Sequence, residues 1–484
     1  MLNYLWAPFT VVLIDLFLRL FFCLSVIRRR LPVGVAWAWI SLILLLPVLG
    51  TLLYLYIGEY RLGARRMSRL MTVTKAISQQ MQTLCEGRSN EMSVQEPGQS
   101  LALSVRSFFK SPVLMGNDVR LLGDADATFA VLIDDIDKAQ RSCDMEFYIW
   151  SDNGRADQVA EALIRARGRG VDCRILVDDI GSRPFLRGKL ARRLRSAGVQ
   201  IQAALPLGLL RSLFSRPDLR MHRKIIIIDG SIGYTGSLNM ADPLYFHRSA
   251  NVGPWVDAFC RIQGPAVRAL HLVLLSDWSV ETGLDLATLE RNSPFLNTAL
   301  EGRAKIQCIP SAPALESSTI EEILIVAIYS ARNRLVLTTP YFLPSESLLY
   351  ALVAAARRGV DVSVIVPAKV DSWLIQHASR ALLKDLLEAG VKVALYQAGM
   401  LHTKSLVVDE TYSIFGSLNI DPRSLRINFE ICLGIFDEVF ARSLGELQDK
   451  YLQQSIFLVP GSDLTKNRLT LLKENLSRLA SPLL

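Results

Sequence analysis

The spaced set H-x-K-x4-D-x6-G-S-x-N occurs twice in this chain, at residues 222–239 and again at 402–419. It does not stand alone. Ala162–Asp172 (ALIRARGRGVD) matches Ala351–Asp361 (ALVAAARRGVD), and Ala197-Gly198-Val199 matches Ala389-Gly390-Val391, in the same order in both halves. A period near 180 residues is too long for a solenoid repeat. It requires a duplicated domain, one copy at residues 111–285 and the other at 300–445, with 286–305 joining them. Both copies keep every motif position, so neither reads as a decayed duplicate.

Within each copy, apolar β-rich runs alternate with helical stretches. Cys173–Val177, Lys224–Ile228, Val362–Val366 and Ser405–Val408 read as buried strands, and Val159–Arg167 and Leu348–Arg357 as helices. This alternation predicts an α/β fold, with largely parallel or mixed sheets covered by helices on both faces. Ahead of it, residues 1–60 predict a transmembrane helical hairpin. Val33–Ile57 carries no charge and is long enough to cross a hydrocarbon core of ~30 Å. Leu5–Ile27 carries Asp15 and Arg19, which are four apart, share a helix face and can pair. Arg28–Arg30 lie between the two segments, and Arg61, Arg65, Arg66, Arg69 and Lys75 follow them. The charge bias gives a divided topology signal, and the body is expected on the cytoplasmic side. Residues 61–110 read as a juxtamembrane stretch and linker, polar through Glu86–Ser100, and residues 446–484 as a C-terminal tail.

The motif dictates its own chemistry. On a strand, residues two apart share a face, so His222 projects with Lys224, and His402 with Lys404. A cationic imidazole beside an ammonium is unfavourable without an anion between them, and phosphate is the natural anion. Ser237, Asn239, Ser417 and Asn419 would add hydrogen-bond donors to its oxygens, and Asp229 and Asp409 complete each set. Two such half-sites around one phosphorus suit displacement through a covalent intermediate. One histidine attacks, the other acts as general acid and base, and the lysines stabilise the developing charge. No cofactor or divalent metal is needed. A carboxylate should hold the second nitrogen of each ring. Sequence proximity pairs Asp257 with His222 and Glu430 with His402. The remaining histidines, His247, His271 and His377, read as surface or packing residues.

Composition narrows the partners. Half of the chain is hydrophobic and mean hydropathy is positive, which fits a short membrane region joined to a globular body. The net charge of +8 admits nucleic acid or anionic lipid, but no basic groove with interleaved aromatics stands out. The seven cysteines are scattered and form no CxxC pair. This argues against a disulfide framework or a cysteine metal site and for a reducing compartment. Nothing in the pattern specifies an oligomeric state.

The paired motif resembles the HKD motif of the phospholipase D superfamily. A wider set resembles bacterial cardiolipin synthases: YTGSLN at 234–239, GPWVD at 253–257, GPAV at 264–267, TPYFLP at 339–344, DPRS at 421–424 and the closing SPLL. With the N-terminal hydrophobic pair, the likeness covers nearly the whole chain. It implies two phospholipase D-like α/β/α domains packed around a shared active site. It implies transfer of a phosphatidyl group between two phosphatidylglycerols, giving cardiolipin and glycerol, at the bacterial inner membrane by a multi-pass protein. It also implies His222 as nucleophile and His402 as general acid and base. Hydrolytic phospholipase D and a phosphatidylserine-forming transferase share such a site. A nuclease fits the anchor poorly, and a non-enzymatic scaffold fits the intact motifs poorly.

Overall fold

The computed structural model describes residues 3–29, 31, 33–58, 62–85, 93–207, 216–246, 248–292, 302–313, 319–459, 473 and 477. Met1–Ala64 falls in one compact unit, and Arg65–Pro206 with Arg220–Arg478 form another.

In the first unit a helix spans Asn3–Arg28, and its portion Thr10–Arg28 is long and apolar enough to cross a membrane. The second hydrophobic segment is kinked at Pro47, the residue in it that cannot continue a helical ladder. It breaks into Val33–Leu45 and Pro47–Leu53, with a π-helical turn over Tyr54–Gly58. Pro47 has no N–H to continue the ladder, so backbone carbonyls near the break lose their helical partners. Arg19 donates to one of them, the Leu44 carbonyl, at 3.2 Å and pairs with Asp15. The two charges in the first segment thus stitch it to the kink in the second. Around them Val26, Trp39, Ile43 and Tyr54 form a small core.

The second unit holds one sheet of 15 strands. In the first half these are β1 (Leu114–Leu122), β2 (Ser142–Phe147), β3 (Asp172–Asp178), β4 (Gln200–Ala204), β5 (Ile225–Ile228), β6 (Ile232–Gly236) and, after the short β7 (Trp255–Val256), β8 (Phe259–Gln263). The second half supplies β9 (Ala304–Ser311), β10 (Arg334–Thr338), β11 (Asp361–Pro367), β12 (Lys392–Tyr396) and, after the short β13 (Met400–Leu401), which pairs apart with β7, β14 (Ser405–Val408), β15 (Tyr412–Gly416), β16 (Glu430–Phe436) and β17 (Ser455–Phe457). The order is β4-β3-β2-β5-β6-β8-β1 followed by β9-β16-β15-β14-β10-β11-β12-β17. The duplication is therefore written into the sheet, whose halves meet at β1 and β9. Buried Asn117 secures that seam. Its amide donates to the Leu114 and Ala304 carbonyls, and its oxygen accepts from Ala266 N–H at 2.8 Å.

Alternation along β2 sets the layers. Cys143, Met145 and Phe147 pack into the core shared with Phe129, Val159 and Leu163 from helices Ala125–Lys138 and Arg155–Gly168. Asp144, between them, meets His271 of helix Pro265–Thr282. The sheet is thus covered on both faces, as the alternating pattern requires.

Several boundaries differ from expectation. The stretch read as juxtamembrane and linker contains helices Ala64–Cys85 and Gly98–Phe109, while 86–92 lie outside the described residues. Arg66 and Arg69, from the basic stretch that follows the hydrophobic segments, bind Glu281 (2.7 Å) and the Val280 carbonyl (3.2 Å). The tail read from 446 begins inside helix Glu438–Gln453, and β17 extends the sheet beyond it. Sequence patterning misses these because a helix that packs through only part of one face looks polar overall. Cys23, Cys143, Cys173, Cys260, Cys308 and Cys432 are all free of disulfides. His271 is buried against Asp144, His377 lies beside Trp373, and His247 is outside the described residues.

Because the body contains its own sheet and core, a chain lacking residues 1–64 is expected to fold. Near-ultraviolet circular dichroism and a single cooperative thermal transition would check this, and loss of both would make the N-terminal helices part of the folding core.

Candidate active site

His222 and Lys224 lie just before β5, and His402 and Lys404 just before β14, where neither strand has yet joined its hairpin partner. Their backbones pair across the duplication instead. His222 N–H donates to the Phe429 carbonyl at 3.0 Å, and Phe429 N–H donates to the Arg220 carbonyl at 2.9 Å. In the other half-site, His402 N–H donates to the Val256 carbonyl at 2.8 Å, and β13 pairs with β7. Each histidine is thereby tied to the residue preceding the other half's carboxylate.

The side chains follow. His222 Nδ1 lies 2.9 Å from both carboxylate oxygens of Glu430, and His402 Nδ1 lies 2.6 Å from Asp257 Oδ1. The expected pairing is thus reversed: Glu430 holds His222 and Asp257 holds His402. Proximity in sequence misled because the backbone exchange brings in the carboxylate of the opposite half. A carboxylate can only accept, so each Nδ1 carries the hydrogen and each Nε2 keeps its lone pair.

All six of these histidine, lysine and carboxylate side chains are buried. Burial lowers His222 to about 4 against the pull of Glu430, and lowers His402 to about 3 against that of Asp257. Burial likewise brings Lys224 down to about 8 and Lys404 well below the lysine range. The carboxylates go the other way. Burial alone would raise Asp257, but His402, Lys404 and Ser237 hold it down at about 2; Glu430 is held low by His222, Lys224 and Ser417. Lys404 acts on His222 and Lys224 on His402, so both half-sites share one electrostatic environment. Each ammonium also donates to the carbonyl of its own histidine, at 2.7 Å for Lys224 and 2.6 Å for Lys404.

The serines have a different partner from the phosphate expected of them. Ser417 donates to Glu430 and accepts from Ile431 N–H at 3.0 Å, while Ser237 exchanges hydrogen bonds with the Ala258 backbone and supports Asp257. Each hydroxyl holds the carboxylate of its own half. The preceding glycines permit this approach: a Cβ on Gly236 would lie 2.5 Å from the Ala258 carbonyl oxygen, and one on Gly416 would lie 2.2 Å from that of Ile431. Asn239 accepts from Ile149 N–H at 3.3 Å, and Asn419 bonds to Asp421.

Asp229 and Asp409 leave the site altogether. Each sits in the left-handed turn at the far end of β5 or β14, five residues and roughly 17 Å of strand beyond the lysine. Asp229 accepts N–H bonds from Gln140, Arg141 and Ser142, and Asp409 from Arg332, Asn333 and Arg334. They fasten the hairpins to β2 and β10. Two aromatic neighbours escaped the sequence reading. The Tyr148 ring lies 5.1 Å from His222 and 5.6 Å from Lys224 Nζ, and the Trp255 ring lies 4.4 Å from His402. Trp255 carried a signal inside GPWVD; Tyr148, in an ordinary strand-end run, carried none. Among the described residues, no three His, Cys, Asp or Glu side chains are arranged to hold a metal ion.

Losing three charge-assisted bonds at one turn should cost stability, about 1 kcal/mol, because two of the three freed N–H groups are exposed to water and the third is part-buried. Asp229→Ala and Asp409→Ala are therefore expected to lower the melting temperature while the folded fraction keeps its turnover number. A large turnover loss at unchanged stability would return these aspartates to the chemistry.

Comparison with known proteins agrees with this architecture. The model of the cardiolipin synthase, phospholipase D-like domain matches residues 132–248 and 324–452. The chain is 40% identical over 465 residues to cardiolipin synthase A of Edwardsiella ictaluri (strain 93-146), covering 95% of each. It is 39% identical over 447 residues to that of Yersinia pseudotuberculosis serotype O:1b (strain IP 31758), covering 90% of each. Phosphatidylserine synthase from Haemophilus influenzae Rd KW20 shares the fold, with a TM-score of 0.58 at 16% identity over 76% of this chain and 95% of that one. Sequence likeness across almost the full length, together with the domain match in both halves, shows that the chain belongs to the cardiolipin synthase family of phospholipase D-like enzymes.

Proposed function

We propose that the chain transfers a phosphatidyl group from one phosphatidylglycerol to a second, giving cardiolipin and glycerol through a phosphohistidine. The observation that carries this reading is the pair of imidazoles, each tied at Nδ1 to a carboxylate, each with Nε2 unprotonated, beside two lysines. His222 Nε2 attacks phosphorus, and the bond to the glycerol oxygen breaks. His402 donates its proton to that oxygen. The terminal hydroxyl of the second phosphatidylglycerol then loses its proton to His402 and attacks phosphorus, and the P–N bond breaks. The order of roles follows the resemblance, since in both half-sites a carboxylate holds Nδ1 and leaves Nε2 as the reacting nitrogen.

Charge balance supports a phosphodiester as ligand. Two lysines stand against two carboxylates, so the anion adds one negative charge, and a proton on His402 offsets it. Binding therefore raises His402 from its resting value and supplies the general acid. No metal ion is required for this balance, and none is invoked.

The substrate's location fits the first unit. Helix Thr10–Arg28 suits a bilayer in length and hydropathy, and Val11, Phe17, Leu20, Phe21 and Leu24 are exposed on it, as lipid contact would favour. The shorter second segment would complete a hairpin, making the protein multi-pass in a bacterial inner membrane with a cytoplasmic body. Anchoring holds both reactants at high local concentration.

Radiolabelled phosphatidylglycerol offered to the purified full-length protein is expected to yield cardiolipin and glycerol. His222→Asn and His402→Asn should each abolish transfer, and the double variant should be no worse, because the residues act as a unit. Phosphatidic acid as the main product would make the chain a hydrolase; a single variant keeping more than about a tenth of the rate, a loss of only ~1.4 kcal/mol, would refute the shared site.

Alkaline pH gives a second test. Lys224 is held at about 8 in the free site and must be protonated against bound phosphate. His402, resting at about 3, must also gain a proton on binding, so kcat/KM already falls about tenfold per pH unit below pH 8, and loss of the Lys224 proton should steepen the fall by a further tenfold per unit above it. A slope unchanged between pH 7 and pH 10 would mean that Lys224 is not the phosphate ligand.

A further inference from the structure

The two half-sites differ in the layer that lies behind them. Arg223, between His222 and Lys224, projects to the opposite face of its strand and is buried. Its Nε donates to the Glu430 carbonyl at 3.1 Å, its Nη2 to the Ser311 carbonyl at 2.9 Å, and its Nη1 pairs with Asp277 of helix Pro265–Thr282. Behind Asp277 lies Glu146, opposite Ile225 in the β2–β5 pair and fully buried. Neither Glu146 oxygen meets an N–H or O–H donor, yet its carboxyl lies within hydrogen-bonding reach of Asp277. Two buried carboxylates in contact cannot both be charged. Burial first, and Asp277 second, push Glu146 well above the carboxylate range. Burial raises Asp277 as well, but Arg223 and Glu146 oppose that rise, so Glu146 is the member that keeps the proton and Asp277 the one that faces Arg223.

Among the described residues, the matching positions of the second half carry no charge. Thr403 occupies the place of Arg223, donates to the Val256 carbonyl at 3.3 Å and shares a hydrogen bond with the Tyr451 hydroxyl. Thr338 occupies the place of Glu146, and Gln448 bonds to Thr338, Ser405 and the Val336 carbonyl. A neutral layer supports His402, whereas a charged one reaches the very residue that holds His222.

We propose that Arg223, clamped by Asp277 and Glu146, is a positioning residue that fixes Glu430 beneath His222, and that the first half-site alone depends on this support. It acts through the Glu430 backbone and touches no substrate. A displacement of about 1 Å at Glu430 would carry the His222 ring with it, and misplacement on that scale costs about a hundredfold in rate.

The proposal rests on the phosphatidyl-transfer reading, so the assay of the full-length protein scores donor cleavage separately from cardiolipin formation. Arg223→Met and Asp277→Asn are expected to lower kcat about a hundredfold with KM unchanged. Glu146→Gln, which keeps the shape and a donor to Asp277, should remain near wild type, and Glu146→Leu should not. Thr403→Val should also remain near wild type. If Arg223→Met fails to fold, Arg223→Lys, which keeps the charge but loses the fork, takes its place. The proposal is overturned if Thr403→Val costs as much as the Arg223 variant. It is equally overturned if Glu146→Gln is as damaging as Glu146→Leu, or if the variants lose only folded fraction at constant kcat. Cleavage without cardiolipin refutes transfer and leaves the variant comparison intact; no cleavage by the wild type refutes both.

Discussion

Two imidazoles, two ammonium groups and two carboxylates occupy one buried environment, and each needs the others to be there. An isolated charge in such a place costs several kcal/mol after relaxation. The site spreads that cost across the duplication. Glu430 of the second half holds His222 of the first, and Asp257 of the first holds His402 of the second. Neither half on its own contains a histidine with its carboxylate, so neither is a half-strength enzyme. The exchange makes the duplication obligatory rather than redundant.

The fold exists to maintain that exchange. The strand segments bearing the histidines pair with segments of the opposite half, through β13 with β7 and the bridge of Met221 with Phe429. The seam of β1 with β9 keeps the sheet continuous between them. Further out, Asp229 and Asp409 bind three N–H groups each and prevent the hairpins from sliding. Gly236 and Gly416 let the serine hydroxyls reach the carboxylates at backbone contact distance. Motif positions that look like one catalytic set thus divide into groups that line the shared buried site, groups that hold the carboxylates and groups that lock a turn.

The halves are copies in topology but not in their support. Beneath His222 the polar layer is ionic, through Arg223, Asp277 and Glu146; beneath His402 it is made of hydroxyls and an amide. Buried ionic layers are sensitive to the loss of one partner, while neutral ones tolerate it better. Duplication supplied two equal half-sites, and divergence in the second layer is where they became distinguishable.

The sequence alone determined the duplication, the α/β class, the strands around both motifs and the two histidine–lysine pairs that the strands carry. Those depend on local periodicity and on a repeat visible without any coordinates. Pro47 marked a kink in the second apolar run, but apolar length says nothing about which carbonyl loses its donor. Residues 61–110 read as a juxtamembrane stretch and linker, without helices Ala64–Cys85 and Gly98–Phe109, because the faces of those helices are only partly apolar. Only the tertiary structure decided which carboxylate serves which histidine, with partners 208 and 145 residues apart. It also removed Asp229 and Asp409 from the cleft and turned the serines toward the carboxylates. The physical reason is common to all three. Pattern reports which residues share a strand face, but a hydrogen bond is settled by which strand end arrives opposite: one from the other half of the chain for the histidines, one from the same half for Asp229, Asp409 and the serines.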